Sequence, residues 1–339
     1  MSGKFVLLRA KIKQTEFEYE GQIAKNDDFY EDVATSSDYW LVFADHLRKY
    51  FSEVELWYQA DPNHPKGIFT HSTGLVERFC EKDFMDFPGS PDVLFVRGDH
   101  KEYYSVITRT PFAQRIYYPS GPYYIPNSRF EWDTCFVEDD RQVRKVHEAT
   151  GAFTFLFRKS CVEKYFINWN EKKKYDLCVV CNAPTVDRKR LYLLKEILKG
   201  MKSGTTALVI GLTGEKILEE FKQYSVTFSG FVNRKEIGKY MNQCRIGLVL
   251  SSAEGDGSPR VIQEFLASNV PVVTTEEAVY SKYYINEFTG RSARVPNSLA
   301  KIITKVLENM DQYKPREYFL KVLGMEKSAE QFISNIGRK

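Results

Sequence analysis

The sequence has few cysteines, no long apolar run and almost no net charge, and each of these absences excludes a class of protein. Six cysteines in 339 residues are too few for a disulfide scaffold, which favours a reducing compartment. No apolar run approaches the roughly 18 residues that span a bilayer. The 48 basic and 45 acidic residues leave a charge of +3, which is too balanced for a protein whose main partner is nucleic acid.

The first residues also lack the features of a secretory signal. Only Phe5-Val6-Leu7-Leu8 precedes Arg9, without the longer apolar stretch and small-residue cleavage site of such a signal. We therefore expect a soluble, cytoplasmic protein without a transmembrane segment. Whether the chain forms a homo-oligomer stays open.

The residues that are present favour a globular α/β protein. Hydrophobic residues make up 43% and charged residues 27%, and the length favours two domains. In the second half, Val/Ile/Leu-rich runs alternate with segments of helical periodicity, which predicts a parallel sheet covered on both faces. The strands expected there span residues 177–181, 207–210, 226–228, 246–250 and 270–274.

The first half shows a similar but weaker pattern. Strands are expected at residues 5–9, 53–58, 92–97, 115–118 and 152–157, and helices at 38–51 and 160–169. The predicted fold is thus two Rossmann-like, doubly wound domains facing each other across a cleft. The first domain spans 1–169, a linker 170–175 and the second domain 176–315. Ligands of such sheets bind at the carboxyl ends of the strands.

Two short motifs suggest metal or redox chemistry but favour simpler interpretations. Cys178 and Cys181 have C-x-x-C spacing, yet they lie in a predicted strand, where residues three apart point to opposite faces. Two buried structural cysteines are the favoured interpretation. The acidic run Glu138-Asp139-Asp140 is interpreted as a loop, and no metal site is predicted.

An acidic, glycine-bearing loop carries the strongest functional signal. Residues 251–259 read SSAEGDGSP and connect a predicted strand to a predicted helix. Ser258 is a suitable N-cap, and Pro259 suits the first helical turn. Gly255 and Gly257 let the backbone approach a ligand closely. Free N–H groups and the positive end of the helix dipole make this position a ready anion site.

Two acidic residues flank the start of this helix. Asp256 lies at the loop tip, and Glu264 lies eight residues later, two turns into the helix and away from its apolar face. The simplest interpretation of Glu264 is a solvated i,i+4 salt bridge with Arg260, worth about 0.2 to 0.5 kcal/mol.

The wider pattern resembles the donor-binding domain of retaining GT-B glycosyltransferases of family 4. The similar features are VTFSGFV at 226–232, a strand ending in Ser251, the acidic loop, Glu264 and PVV at 271–273. In its compactness the chain also resembles virus-encoded members of this family. The resemblance implies a nucleotide-diphosphate sugar as co-substrate, with no bound cofactor and no metal. It also implies that a helix at 316–339 returns to the N-terminal domain, which would be the acceptor side.

The resemblance implies roles for the residues of the loop and helix. Glu264 would bind the ribose hydroxyls, and Asp256 would contact the hydroxyls of the donor hexose, as a catalytic residue. The family usually has Glu at the position of Asp256, so Glu254 can serve instead. The other implied donor-binding residues are Gly255, Gly257, Ser258, Pro259, Phe231, Val232 and Gly211. Phe231 and Val232 would flank the base, although Phe231 can equally pack in the core.

The catalytic positions depart from the family pattern. The family has an Arg after the first strand of this domain, where this chain has Asn182-Ala183. Arg188 or Lys189 would then neutralise the leaving diphosphate, unless they only form a solvated helix start. His100 follows a predicted strand of the first domain, where the family usually has a His, and is a catalytic candidate; a structural role is the alternative.

The function implied by the resemblance is retaining transfer of a hexose to a glycan, glycoprotein or other hydroxyl acceptor. Family frequency slightly favours GDP-mannose as donor, with UDP-glucose next. The alternative is a non-catalytic nucleotide-sugar-binding protein, which the missing Arg would suit. A dinucleotide-dependent oxidoreductase is disfavoured, because no strand is followed by G-x-G-x-x-G with an acid about 20 residues later.

Overall fold

The computed structural model describes two compact units. The first comprises Met1–Thr15, Asp27–Arg158 and Met325–Lys339, and the second comprises Glu16–Asn26 and Lys159–Gly324. The chain thus changes unit at residues 16, 27, 159 and 325. The sequence predicted a linker at 170–175 and a last helix that begins at 316. The structure describes all residues except 1–2, 10–15, 20–21, 26–30, 61–64, 88, 120–124, 127–128, 183–184, 212, 252–258, 277, 279–280, 295–297 and 337–339.

Strands and helices alternate along much of the described chain. The strands are β1 (Lys4–Arg9), β2 (Glu16–Tyr19), β3 (Gln22–Lys25), β4 (Glu53–Gln59), β5 (Gly67–Thr70), β6 (Val76–Cys80), β7 (Val93–Arg97), β8 (Gln114–Tyr118), β9 (Thr134–Val137), β10 (Phe153–Leu156), β11 (Tyr175–Val180), β12 (Ala207–Ile210), β13 (Val226–Phe228), β14 (Cys244–Val249), β15 (Val272–Thr275) and β16 (Gly290–Ala293). The helices are α1 (Tyr39–Leu47), α2 (Tyr104–Arg109), α3 (Asp140–Thr150), α4 (Val186–Lys189), α5 (Tyr192–Gly200), α6 (Glu215–Phe221), α7 (Ile237–Asn242), α8 (Arg260–Ala267), α9 (Ser281–Tyr284), α10 (Leu299–Glu308), α11 (Pro315–Val322) and α12 (Met325–Ile336).

The first unit is built on an eight-stranded sheet with the order β10-β9-β8-β7-β1-β4-β6-β5. Its strands pair in parallel except for the edge strand β5, which runs antiparallel to β6. Helices α1 and α12 cover one face, where Phe332 is the centre of an aromatic cluster. Its ring centroid lies 4.9 to 6.0 Å from those of Phe5, Phe43, Phe95, Phe136 and Phe157.

The second unit contains a six-stranded sheet with the order β13-β12-β11-β14-β15-β16, in which every pair is parallel. A buried apolar cluster lies on each face; Cys178 belongs to one cluster and Cys181 to the other. Both cysteines are buried and free. The predicted α/β fold class with two Rossmann-like sheets is confirmed, and so are two structural cysteines on opposite strand faces.

Some local expectations are wrong. Residues 160–169 do not form a helix; only Glu163–Tyr165 make a short 3-10 turn. The acidic run at 138–140 starts helix α3, because the Asp139 side chain accepts a hydrogen bond from the Arg141 N–H. Pro259 is the N-cap of α8 and does not lie in its first turn. In the part of the chain that the structure describes, no helix is long and apolar enough to cross a bilayer.

Candidate functional site

The carboxyl ends of β11, β12, β14 and β15 lie at one edge of the second sheet, because these strands are parallel neighbours. In open α/β sheets, ligands bind at this edge. Several residues singled out from the sequence follow these strands or belong to the helices that start beside them. The edge of the second unit is therefore the candidate functional site.

Gly211 brings two strand ends close together. It follows β12 with a φ of +136°, and a Cβ at this position would lie 2.4 Å from the carbonyl oxygen of Cys181, which follows β11. Its N–H donates to the carbonyl oxygen of Gly230 at 3.2 Å. Both the backbone conformation and the space thus require glycine, and the turn presents backbone groups at this edge.

Phe231 and Val232, which follow Gly230, have different environments. The Phe231 side chain is 46% exposed, whereas Val232 is 8% exposed and belongs to one of the core clusters of the sheet. Core packing of Phe231, the alternative considered from the sequence, is therefore not observed. Of the two side chains, that of Phe231 is accessible to a flat apolar ligand.

Glu264 lies on the buried helix α8, six of whose eight residues are buried. Its side chain is 11% exposed, and Oε1 accepts a hydrogen bond from Nη2 of Arg234 at 3.2 Å. The expected i,i+4 bridge to Arg260 does not form, because Glu264 faces the turn after β13. Among the described residues no other group bonds to the Glu264 carboxylate, so its second oxygen is available to accept from a ligand.

Arg234 is a residue of this candidate site that the sequence analysis missed. It reaches Glu264 from the turn that follows β13, and its Nε is buried without a partner among the described residues. The residue before Glu264 on α8, Gln263, is fully buried and donates to the carbonyl oxygen of Lys159 at 2.9 Å. These contacts hold this turn of α8 and orient the Glu264 carboxylate.

Arg188 and Lys189 lie on α4, close to the end of β11. Burial raises the pKa of the Cys181 thiol to about 11, and the positive charges of Lys189 and Arg188 oppose this rise, so both cations lie near this strand end. Arg188 is exposed and Lys189 is half-buried. This position is consistent with a cationic role at the carboxyl edge.

Arg190, also missed from the sequence, reaches further across the same edge. It has a φ of +50°. Its Nε donates to the carbonyl oxygen of Leu250 at 2.6 Å, and its Nη2 donates to Oγ1 of Thr275 at 3.3 Å. Arg190 thus joins the ends of β14 and β15. The only signal in the sequence was its place as the third member of the basic run at 188–190.

The remaining predicted site residues are only partly described. Glu254, Gly255, Asp256, Gly257 and Ser258 lie outside the described residues, whereas Pro259 is buried directly before α8. His100 lies in the first unit after β7, where its ring contacts Tyr103 edge-on with centroids 5.3 Å apart. Among the described residues, no group of three or more His, Cys, Asp or Glu side chains forms a potential metal site.

Residues 167–321, which include this site, match the family model described as glycosyl transferases group 1. This match covers somewhat less than half of the chain and lies within the second unit. No curated protein matches the chain.

Solved structures with a similar fold extend over both units. Sucrose-phosphate synthase from Thermosynechococcus elongatus has a TM-score of 0.69 at 14% identity, covering 98% of this chain and 97% of that one. A glycosyltransferase from Rickettsia africae has a TM-score of 0.68 at 10% identity, with coverages of 98% and 97%. Anabaena HepE in complex with UDP and glucose has a TM-score of 0.66 at 12% identity, with coverages of 99% and 100%. At these identities the similarity shows the GT-B fold.

Proposed function

We propose that the protein is a family 4 glycosyltransferase that moves a hexose from a nucleoside-diphosphate sugar to a hydroxyl acceptor with retention of configuration. The observation that carries this proposal is the Glu264 carboxylate, which α8 and Arg234 hold at the carboxyl edge of the second sheet with one oxygen available. A carboxylate in this state is suited to accept hydrogen bonds from the two vicinal hydroxyls of a ribose. The family match over residues 167–321 supports the assignment.

The proposed reaction is a substitution at the anomeric carbon. The bond from C1 to the diphosphate oxygen breaks, the acceptor oxygen forms the new bond to C1 on the same face, and the leaving phosphate takes the acceptor proton. Arg188 and Lys189 neutralise the charge that develops on the diphosphate, and such electrostatic stabilisation is often the largest catalytic contribution. Asp256 and His100 remain proposed catalytic residues, and Phe231 offers its exposed ring to the base.

We propose two candidate donors. GDP-mannose is favoured by its frequency in the family, and UDP-glucose gains support from HepE, which was solved with UDP and glucose. Nothing in the proposed chemistry requires a metal ion. The resemblance to virus-encoded members rests on compactness and adds no residue to the site. We propose a cytoplasmic location and a glycan or glycoprotein acceptor.

Titration calorimetry without added metal tests the donor site. GDP-mannose, UDP-glucose, UDP-N-acetylglucosamine and NAD are titrated into the wild type, into Glu264→Gln and into the control Glu219→Gln on an exposed part of α6. We expect one sugar nucleotide to bind. Loss of a charge-assisted hydrogen bond worth about 1.5 to 3 kcal/mol should weaken this binding about 10- to 100-fold in Glu264→Gln only. Equal affinity of Glu264→Gln and wild type would contradict the site.

Turnover distinguishes the enzyme from the non-catalytic alternative. A transferase that binds the donor should also hydrolyse it slowly when no acceptor is present, and the released sugar and nucleoside diphosphate can be followed by chromatography. Tight donor binding with neither hydrolysis nor transfer to any acceptor would favour the nucleotide-sugar-binding protein. The anomeric configuration of a transfer product, measured by NMR, tests retention.

A further inference from the structure

Four polar side chains form a row across the carboxyl edge of the first sheet. The register pairs Tyr118 of β8 with Arg97 of β7, and Arg9 of β1 with Tyr58 of β4. β7 and β1 are themselves neighbours, with Leu8 opposite the residue before Arg97, so the two arginines are adjacent. Because residues in direct register on parallel strands point to the same face, the four side chains form one row.

Arg9 and Tyr58 in this row already have partners. Nη1 of Arg9 donates to Oδ2 of Asp38 at 2.9 Å and to the Tyr58 hydroxyl at 3.2 Å. The Tyr58 hydroxyl in turn donates to Glu77 at 2.7 Å. Asp38 is also the N-cap of α1, where its other oxygen accepts from two backbone N–H groups. These carboxylates are therefore engaged by groups other than Arg97.

Tyr118, at the other end of the row, is also engaged. Its hydroxyl donates to Oε1 of Glu138 at 2.5 Å, and both side chains are buried. The two residues that flank the arginines thus direct their hydroxyls to carboxylates. Neither tyrosine provides an acceptor that is bonded to Arg97 within the described residues.

Arg97 differs from Arg9 in having no hydrogen-bonded or ion-paired anion in the part of the chain that the structure describes. Its guanidinium makes no hydrogen bond or ion pair there, its Nε is buried, and its Cζ lies 5.4 Å from the centroid of the Trp40 ring. Burial and the neighbouring positive charge of Arg9 lower the pKa of Arg97, and the nearby Asp38 carboxylate opposes this only in part. An arginine nevertheless stays protonated at neutral pH, so this is a largely desolvated cation with unused donors.

A bound oxyanion would stabilise such a cation through hydrogen bonds and its opposite charge. A guanidinium presents parallel N–H groups that match a phosphate or carboxylate, and the Trp40 ring supports its face by a cation–π contact. The carboxyl edge of a parallel sheet is also where ligands bind. We propose that Arg97 binds the phosphate or carboxylate group of a ligand. The identity of this ligand rests on the proposed function: it is the acceptor, a hydroxyl compound that also carries a phosphate or carboxylate group.

Binding of inorganic phosphate tests the site independently of catalysis. Calorimetry and thermal unfolding are recorded with phosphate, and with chloride at equal ionic strength, for the wild type, Arg97→Gln and the control Arg144→Gln, an exposed arginine of α3. We expect phosphate to bind the wild type and the control, and Arg97→Gln to bind about tenfold or more weakly. In chloride, Arg97→Gln should unfold close to the wild type, because relief of a buried charge without a hydrogen-bonded or ion-paired anion offsets the lost contact with Trp40. Equal phosphate binding by all three proteins would overturn the site.

Matched acceptor pairs test the ligand class. Transfer is measured to a hexose and its 6-phosphate, and to glucose and glucuronate, so that a phosphate and a carboxylate are each compared with a neutral partner. We expect a lower KM for the anionic member in the wild type. In Arg97→Gln, the ratio of anionic to neutral KM should rise about tenfold or more, while Arg144→Gln keeps the wild-type ratio.

The outcomes separate this inference from the proposed function. Transfer to neutral acceptors only, or a KM ratio that Arg97→Gln does not change, overturns the acceptor assignment and leaves the proposed glycosyltransferase activity standing. Weaker binding of the nucleotide sugar by Arg97→Gln would assign Arg97 to the donor site and would also overturn its assignment to the acceptor. Absence of any donor hydrolysis or transfer would contradict the proposed function, and the phosphate titration would still decide whether Arg97 is an oxyanion site.

Discussion

The carboxyl edges of the two sheets are built in different ways. In the first unit, the edge carries long polar side chains from four strands, and most of them are paired with buried carboxylates. In the second unit, glycine turns and backbone carbonyls joined by Arg190 form the edge, together with the Arg234–Glu264 pair that comes from a turn and a helix. Two sheets of the same class therefore form a ligand-binding edge in different ways. The first uses side chains from neighbouring strand ends, and the second uses backbone groups and charged side chains from turns and helices.

The largest expected loss of stability comes from removing a charge at the carboxyl edge of the first sheet. In Asp38→Asn the N-cap acceptor is kept, but the Arg9 cation loses its carboxylate in a site where both side chains are about one tenth exposed. Leaving a buried charge without its partner costs about 3 to 5 kcal/mol. Urea unfolding followed by tryptophan fluorescence measures this loss, since Trp40, Trp57 and Trp132 are buried in the first unit.

The control for this variant is an exposed pair. Glu196→Gln removes the partner of Lys199 in a pair whose side chains are more than half exposed, and the free energy of unfolding should change by no more than about 0.5 kcal/mol. A similar small change in Asp38→Asn would show that the Arg9–Asp38 pair does not stabilise the first unit.

The next largest loss of stability is expected from replacing Gly211 at the carboxyl edge of the second sheet. Gly211→Ala places a Cβ 2.4 Å from the Cys181 carbonyl oxygen at a φ of +136°, so the ends of β11 and β12 have to separate. We expect the free energy of unfolding to fall by about 2 kcal/mol or more, measured by urea denaturation. Gly204→Ala is the matched control, since its φ is +87° but nothing lies within 4 Å, and it should cost only about 1 kcal/mol. If both substitutions lowered the free energy of unfolding equally, the short distance to the Cys181 carbonyl oxygen would not determine the cost at Gly211.

The smallest effect concerns the cations beside β11. Burial raises the pKa of Cys181 to about 11 from an ordinary value near 9. The thiol therefore contributes to stability below pH 9, and this contribution is lost as the pH rises towards 11. Because Lys189 opposes the rise, Lys189→Gln should raise the pKa further and slow iodoacetamide labelling of Cys181 at pH 10 a few-fold. Peptide mass mapping measures the rate.

Lys199→Gln is the control for the labelling experiment, because Lys199 is exposed on α5 and does not contribute to the pKa of Cys181. Its labelling rate should equal that of the wild type. If Cys181 in Lys189→Gln were labelled as fast as in the wild type and in Lys199→Gln, the charge of Lys189 would not affect the Cys181 thiol.

The two edges also differ in how far the sequence predicts them. The second edge is local in sequence: an apolar run, a turn and a helix follow one another, so the strands and the position of Glu264 could be predicted. Its partner could not, because Arg234 comes from another turn, 30 residues away. The expected bridge to Arg260 assumed a solvated helix, whereas α8 is mostly buried.

The first edge depends on contacts between distant residues. The residues of its polar row are each the last or nearly the last residue of a separate strand, so only the sheet order brings them together. Strand β6 was missed because it contains Glu77 and Arg78, which are paired with groups on β4 and do not show the apolar pattern of a buried strand. A sequence pattern identifies elements whose stability is local and misses charges that are buried through tertiary pairing.

The return of the chain at residue 325 has a consequence for biosynthesis. During translation, the strands and helix that hold Phe5, Phe43, Phe95 and Phe136 leave the ribosome long before Phe332, which completes their cluster from α12. The intervening second unit has all its own strands by then and can fold first, although domains usually fold in order from the N-terminus. The aromatic cluster of the nascent first unit thus stays incomplete until α12 leaves the ribosome.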